Sequence, residues 1–271
     1  MLGTHTRYRK PPMALAFHQV DAFSDKPFAG NPAAVYRLDH WLDDALLQQI
    51  AAEHNLAETA FVVREGAAWR IRWFTPTCEA PLCGHATLAS AHALFECHGE
   101  PGERIDFLYR DGNLAVCRNG DRLVLDFPCH APTPIATPEG LAQILGQSPI
   151  AVLDAPQLLV VLESQAAVAD CQPDLKALAQ LPWPAVIITA KGESVDFVSR
   201  NFAPALGIDE DPVTGSAHCI LTPYWAQQLG KPELSAYQGG KRGGFLWCRL
   251  KGERVEIAGH ARVVSRGELL L

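Results

Sequence analysis

A short motif, E-x-P-x-x-G-x-A, occurs twice in the chain and restricts the folds that the sequence can adopt. Its first copy spans residues 79–86 and its second spans residues 210–217. Just upstream, the pattern R-x-F-x-P at residues 72–76 is matched by the same pattern at residues 200–204. Two matches in the same order predict an internal duplication, with one copy in each of two similar structural units.

The same predicted elements surround both copies of the motif. A β-rich run ends at a proline, a loop with acidic residues follows, and a long apolar segment begins at Gly84 or at Gly215. Small residues lie on every side of these segments, at 85–97 and 216–229. We predict two helices buried inside a sheet, and Pro223 is expected to kink the second helix or end its first part.

A helix that begins at a glycine has a direct chemical consequence. Its first backbone N–H groups have no partner within the helix, and its dipole is positive at that end. Glycine also lets a ligand approach the backbone closely. Two such helix starts, related by a pseudo-twofold axis, would face each other across a cleft. We therefore predict that Gly84 and Gly215 help to bind a carboxylate or a developing enolate.

The division of the chain follows from its prolines. Residues 127–140 are proline-rich and have the composition of a linker. We predict that residues 1–13 form a disordered extension, that residues 14–130 form an N-terminal α/β half, and that residues 131–271 form a C-terminal α/β half. The final strand could return to the first half.

Charge and hydrophobicity argue against two classes of partner. The net charge is -7 and the sequence has no long run of Lys or Arg, so neither nucleic acid nor a membrane surface is an expected partner. No segment has 18 uninterrupted apolar residues, so no membrane span is predicted. The first residues do not resemble a signal peptide, and we expect a cytoplasmic protein.

Eight cysteines are spread over the chain without a CxxC pair. We expect reduced and mostly buried thiols rather than a disulfide framework. A metal ion could be held only by Cys78, Cys83, His85 and His92, and their spacing matches no standard zinc site. No metal is therefore expected.

Five motifs in order resemble the phenazine-biosynthesis isomerase (PhzF-like) family, within the diaminopimelate-epimerase fold. The resemblance covers nearly the whole chain beyond residue 14, and it rests on VDAFSDKPFAGNPAAV (20–35), NLAETAFV (55–62), FTPTCEAPLCGHATLA (74–89), GIDEDPVTGSAHC (207–219) and RGGFLWCRLKGERVEIAGHARVV (242–264).

This resemblance implies a fold, an activity and an assembly. The implied fold is α/β (α+β), with two pseudo-symmetric halves that each curl a mostly antiparallel sheet around a central helix. The implied activity is that of a cofactor-independent isomerase, which shifts a proton within a small carboxylic acid bound between the halves. The resemblance also implies a homodimer.

The same resemblance assigns site residues. A glutamate serves as the proton shuttle in that family, and Glu58 of the NLAET segment occupies its place. Gly84, His85, Asp211 and Ser216 occupy the other positions of the family's site. The local sequence around Glu58 is consistent with this implied role. Glu58 precedes an apolar strand, where partial burial would raise its pKa toward neutrality.

Two alternative functions remain open at this stage. Epimerases of the same fold use two opposed cysteines, and here Cys83 occupies the first such position whereas Thr214 occupies the second. A Cys83/Thr214 pair would fit an epimerase or dehydratase acting on an amino acid such as a hydroxyproline. The second alternative is a non-catalytic protein that binds a carboxylate in the same cleft.

Three further residues or segments receive structural interpretations. Asn31 is expected to be a turn residue before Pro32. Ser216 could cap its helix in addition to binding a ligand. Residues 241–244 (KRGG) are expected to form a hairpin turn that leads into the final strands.

Overall fold

A computed structural model describes residues 14–271, so the predicted extension at residues 1–13 lies outside the described residues. As far as residue 134 the elements are β1 (Ala14–Ala22), β2 (Asn31–Leu38), α1 (Asp44–His54), β3 (Glu58–Glu65), β4 (Ala68–Phe74), β5 (Glu79–Ala80), α2 (Gly84–His98), β6 (Arg104–Tyr109), β7 (Gly112–Asn119), β8 (Arg122–Pro128) and β9 (Thr133–Pro134). The remaining elements are α3 (Leu141–Leu145), β10 (Ala151–Asp154), β11 (Leu158–Val161), α4 (Gln165–Asp170), α5 (Leu175–Leu178), β12 (Val186–Lys191), β13 (Phe197–Ala203), a 3-10 turn (Pro204–Leu206), β14 (Ile208–Asp211), α6 (Gly215–Leu229), β15 (Glu233–Gln238), β16 (Gly244–Lys251), β17 (Arg254–Gly259) and β18 (Ala261–Leu270).

One series of strand pairings occurs twice. In the first series, β2 is parallel to β3, β4 is antiparallel to β3 and β5, β6 is parallel to β4, and β6, β7 and β8 are antiparallel neighbours. Strands β11 to β17 repeat these pairings in the same order and with the same polarity. The repeated sequence motif therefore corresponds to a repeated strand pairing in a mixed α/β fold made mostly of sheet.

The last two strands, β17 and β18, pair with strands that precede residue 130. Strand β18 lies antiparallel to β1, and β17 lies antiparallel to β8. Arg242, in the turn between β15 and β16, forms an ion pair with buried Asp21 and donates hydrogen bonds to the carbonyl groups of Ala29 and Gly30. The predicted hairpin turn at residues 241–244 is thus also a clamp on the loop that follows β1.

Helices α2 and α6 are the central helices that the small-residue segments predict. Both belong to one cluster of buried apolar side chains, which also receives side chains from the surrounding strands. Each helix ends at a glycine in the left-handed conformation, Gly99 for α2 and Gly230 for α6, as helices commonly do. Pro223 lies inside α6 without ending it, because the helix continues to Leu229.

The other helices cover the outside of the sheet. Helix α1 covers β2 and β3 in a second apolar cluster, and α3, α4 and α5 cover β10 to β13 in a third. Helix α4 has only six residues. The side chain of Ser164 caps α4 by accepting a hydrogen bond from the backbone N–H of Ala167.

Two expectations from composition can be compared with the fold. All eight cysteines are free thiols, and four of them are buried. Within residues 14–271, no helix is both long and apolar enough to cross a bilayer.

Gly30 provides a test of how tightly the loop after β1 is built. Its φ is +68°, and a Cβ at this position would lie 2.1 Å from the carbonyl oxygen of Ala22. Gly30→Ala is expected to lower the free energy of unfolding by at least about 2 kcal/mol, because it adds a backbone clash to a strained φ. Chemical denaturation measures this loss.

Gly66→Ala is the matched control for this variant. Gly66 has a similar φ of +62°, but a Cβ there would meet no atom within 4 Å. The control should lose only about 1 kcal/mol, which is the cost of the left-handed backbone alone. Equal losses in the two variants would contradict the close packing of the loop.

Candidate active site

The N-termini of the two central helices are in contact. A Cβ placed on Gly84 would lie 3.5 Å from the Cα of Gly215, and a Cβ placed on Gly215 would lie 3.5 Å from the Cα of Gly84. The residues before them, Cys83 and Thr214, are in extended conformations and make no side-chain cap hydrogen bond. The free N–H groups of both helix starts therefore meet at one place, where the two dipoles add.

Glu58, the first residue of β3, lies beside the start of α2. Its Oε2 is 3.3 Å from Nε2 of His85, and the Glu58 side chain is only 13% exposed. The Cys83 thiol belongs to the same group, because one ligand atom from each of the three residues lies within 4.8 Å of the other two. The structure thus brings together Glu58, His85 and Gly84, which the sequence predicted as site residues.

Asp211, at the end of β14, approaches this group from the second motif. Its Oδ2 accepts a hydrogen bond of 2.5 Å from the Thr214 hydroxyl, and its Oδ1 accepts one of 2.7 Å from the Asn31 amide. Gln238 in β15 then holds Thr214 on two sides, since it accepts from the Thr214 backbone N–H and donates to the Thr214 hydroxyl oxygen. The carboxylate of Asp211 is therefore fixed in position before any ligand binds.

The interpretation of Asn31 as a turn residue is wrong. Asn31 begins β2, is completely buried, and directs its amide nitrogen at Asp211, at the carbonyl oxygen of Val213 (3.0 Å) and at Nδ1 of His85 (3.1 Å). An Asn before Pro has the composition of a turn, and this local pattern obscured its role. The one signal in the sequence was its place inside a motif that carries the family resemblance.

Ser216, the second residue of α6, is the exposed member of the site. It is not the cap of its helix, because Thr214 occupies the N-cap position. Its Oγ lies 3.0 Å from Nε2 of Gln157, whose Oε1 in turn lies 2.6 Å from the buried amide of Asn201. Gln157 and Asn201 were not predicted from the sequence, and they hold the one site hydroxyl that faces solvent.

Burial controls the protonation of this cluster. Desolvation, followed by the nearby charge of Asp211, raises the pKa of Glu58 to about 8. Desolvation raises the pKa of Asp211 to about 6, against hydrogen bonds from Thr214 and Asn31 that lower it. Desolvation also lowers the pKa of His85 to about 3 and raises that of the Cys83 thiol well above its usual value. Near pH 7 Glu58 is therefore mostly protonated, while the imidazole is neutral and the thiol keeps its proton.

Three buried polar atoms of the cluster have no hydrogen-bond partner among residues 14–271. These atoms are Oε2 of Glu58, Nε2 of His85 and Oδ1 of Asn31. The 3.3 Å contact between Glu58 and His85 is close, but its angle does not make it a hydrogen bond. Native proteins rarely leave such atoms unpaired, and a group of them in one place is typical of a site that pairs with a ligand.

The composition of this cluster is also that of a possible metal site, formed by Glu58, Cys83 and His85. Cys78 and His92, the other candidates from the sequence, are not part of it. A metal ion binds the deprotonated forms of carboxyl and thiol groups. Burial favours the protonated forms of both Glu58 and Cys83, so the cluster is better suited to holding protons than to holding a cation.

The raised pKa of Glu58 predicts a pH-dependent stability. Between the ordinary value of 4.5 and the folded value of about 8, the folded protein keeps a proton that the unfolded chain has released. The contribution of Glu58 to the free energy of unfolding is therefore expected to fall by a few kcal/mol as the pH rises from 5 to 8, whereas buried histidines with lowered pKa values, such as His85, change stability in the opposite direction. Urea denaturation of the unaltered protein and of Glu58→Gln at both pH values isolates this contribution, because the unaltered protein should lose stability relative to the variant as the pH rises.

Glu193→Gln serves as the control, because Glu193 is an exposed glutamate away from the site. This variant should keep the pH dependence of the unaltered protein. An equal change of stability with pH in Glu58→Gln and in the unaltered protein would contradict the raised pKa of Glu58.

Known proteins resemble this chain in sequence and in fold. A family model described as phenazine biosynthesis-like protein matches residues 20–267. An uncharacterized isomerase of Pseudomonas aeruginosa is 63% identical over 96% of this chain and 100% of its own length. The crystal structure of a PhzF family protein from Enterococcus faecalis has a TM-score of 0.94 at 46% identity, and the match covers 96% of this chain and 100% of that one.

A second crystal structure, of a phenazine biosynthesis PhzC/PhzF protein from Clostridium difficile, has a TM-score of 0.90 at 41% identity. That match covers 95% of this chain and 100% of the other. The agreement extends over the sequence, the fold and the full length of each of these relatives. The chain therefore belongs to the phenazine biosynthesis-like protein family.

Proposed function

We propose that the protein is a cofactor-independent isomerase that moves a proton within a small carboxylic acid, with Glu58 as the acid and base. The observation that carries this proposal is the placement of a buried carboxyl group, with a pKa near 8, beside two helix N-termini in contact. Such a group can accept and return a proton close to neutral pH, because neither of its forms is strongly favoured.

The substrate carboxylate is proposed to bind at the paired helix starts. The free N–H groups that follow Gly84 and Gly215 are hydrogen-bond donors, and both helix dipoles favour a negative charge there. Ser216 adds a hydroxyl group at the exposed side of this position. A carboxylate held there also becomes a better electron acceptor when the carbon next to it loses a proton.

The proposed proton transfer uses one carboxyl group for both steps. Ionised Glu58 removes a proton from a carbon activated by the bound carboxylate, and the C–H electron pair passes into the substrate as an enolate-like system. The protonated Glu58, whose carboxyl proton can exchange with solvent, then delivers a proton to a different carbon on the same face, so the composition of the substrate is unchanged. Substrate and product differ only in the position of a hydrogen and of a double bond.

The geometry disfavours the Cys83/Thr214 alternative. The Thr214 hydroxyl donates to Asp211 and accepts from Gln238, so it is engaged within the protein. Burial raises the pKa of the Cys83 thiol, which makes it a poor base. A symmetric exchange of protons between these two side chains therefore lacks a suitable group on either side.

A non-catalytic carboxylate binder is disfavoured for a different reason. Burying Glu58 with an unpaired oxygen costs free energy, since desolvation is the main cause of its raised pKa. A binder that used only the helix starts would gain nothing from this cost. We propose as the substrate class a cyclic amino acid or a dihydroaromatic acid, and as the setting a cytoplasmic homodimer.

Incorporation of solvent deuterium tests the proposed function directly. Proton NMR in deuterated water would follow a set of acids that includes dihydrohydroxyanthranilate, diaminopimelate, the hydroxyprolines and common amino acids. We expect exchange into one of them, and Glu58→Gln should reduce its rate at least a hundredfold, because a positioned acid–base group contributes about that much or more.

Cys83→Ser is the matched variant for this experiment. It alters the neighbouring side chain of the same cluster, and it should retain exchange at a rate close to that of the unaltered protein. Exchange that depends on Cys83 but survives Glu58→Gln would instead support the epimerase or dehydratase. Ligand binding without exchange into any acid would support the non-catalytic binder.

A further inference from the structure

We propose that Asn31 is a positioning residue that holds His85 in its Nε2–H tautomer, so that His85 offers a neutral N–H group to the reacting substrate. The part of this inference that concerns the substrate rests on the proposed function. The part that concerns the tautomer rests only on the hydrogen bonds around Asn31 and His85. It adds to the site a residue that the sequence pattern had assigned to a turn.

The orientation of the Asn31 amide is determined by its surroundings. Its nitrogen lies 2.7 Å from Oδ1 of Asp211 and 3.0 Å from the carbonyl oxygen of Val213. Both partners are hydrogen-bond acceptors, so exchanging the nitrogen and oxygen of the amide would place an oxygen against two oxygens. The Oδ1 of Asn31 has no partner in the part of the chain that the structure describes. The side chain is therefore held through its nitrogen alone.

The atoms around Nδ1 of His85 then determine the position of the ring proton. The Asn31 nitrogen lies 3.1 Å away and the Cys83 sulfur 3.5 Å away, and both groups carry hydrogens that they can donate. A proton on Nδ1 would face the hydrogens of the amide, with only a thiol sulfur as a weak acceptor. Nδ1 is therefore the acceptor, and the single proton of the neutral ring lies on Nε2.

Two hydrogens of the Asn31 amide serve three acceptors. Asp211, the carbonyl group of Val213 and His85 all lie within hydrogen-bonding distance of one nitrogen. One hydrogen must therefore be shared between two acceptors, so the position of the amide depends on residues of both motifs. His85 follows Gly84 of the first motif, and Asp211 and Val213 belong to the second. Asn31 thus links the imidazole of one motif to the carboxylate of the other.

The chemical consequence lies at the other nitrogen of His85. Nε2 is buried, has no hydrogen-bond partner among the described residues, and lies 3.3 Å from Oε2 of Glu58. A donor at this place can bind an oxygen of the substrate on which negative charge develops when Glu58 removes a proton. A neutral imidazole can stabilise this charge without transferring its own proton. This is what the proposed function requires, because Glu58 carries out both proton transfers.

Nitrogen NMR of protein labelled with 15N-histidine tests the tautomer in the resting protein. The His85 signals are assigned by their loss in His85→Gln. We expect a neutral ring with the proton on Nε2 throughout pH 6 to 8. A proton on Nδ1, or a charged ring in this range, would overturn the proposal without any variant of Asn31.

Two substitutions test whether Asn31 is the cause. Asn31→Asp replaces the donor by an acceptor of the same shape, so His85 is expected to move its proton to Nδ1 or to become charged. Asn31→Ser is smaller and uncharged, and it is expected to increase the population of the Nδ1–H form. Unchanged His85 signals in both variants would contradict the proposal. If Asn31→Asp fails to fold, Asn31→Ser decides the question.

Asn201→Asp is the matched control, because Asn201 is also a buried asparagine on a strand near the cleft. This variant should leave the His85 signals unchanged. If Asn201→Asp alters the His85 signals as much as Asn31→Asp does, any buried charge near the cleft can cause the change, and the role assigned to Asn31 is wrong.

Kinetics separate this inference from the proposed function. With a substrate in hand, Asn31→Ser should lower kcat at least tenfold and change KM less, because the N–H of His85 acts on charge that appears during the reaction. A loss confined to KM would contradict this role. Absence of exchange in the unaltered protein would refute the proposed function, whereas the tautomer result would still stand.

Discussion

The contact between Gly84 and Gly215 is the constraint on which the rest of the site depends. A Cβ on either glycine would reach ordinary contact distance, 3.5 Å, with the Cα of the other, so the two helix starts pack backbone against backbone. Their approach brings two sets of free N–H groups together and carries Cys83, His85 and Thr214 with them. Ten of the fifteen residues of each helix are buried, so the surrounding sheet covers both helices over most of their surface.

Burial inside the sheet explains the shifted pKa values of the titratable groups. One low-dielectric environment moves carboxyl, imidazole and thiol groups in the direction of their neutral forms. The cluster is therefore able to store protons with little net charge, although it contains two carboxyl groups. Hydrogen bonds from Thr214 and Asn31 oppose this tendency at Asp211, and a hydrogen bond from Cys83 opposes it at Glu58. The pKa values of Glu58 and Asp211 thus differ because their neighbouring groups differ.

Sequence reasoning succeeded where a pattern extends over many residues. The repeat predicted the two central helices and their glycine starts, and the motifs predicted the family and the mixed α/β fold, both of which are confirmed. It failed where one residue acts through distant partners. The partners of Asn31 lie 54 to 182 positions away, so its local sequence could show only a turn. Gln157 and Asn201 were not predicted for the same reason.

The pairing of β18 with β1 has a consequence for how the chain is made. On the ribosome, β1 emerges long before its partner β18. Until β18 is synthesised, one edge of β1 therefore remains open to other strands, which is a risk for aggregation. Asn31 must likewise wait for Asp211 and Val213 before its amide is satisfied. A growing chain thus lacks the complete cluster around Glu58 and Asn31 until the second motif has been synthesised and has folded against the first.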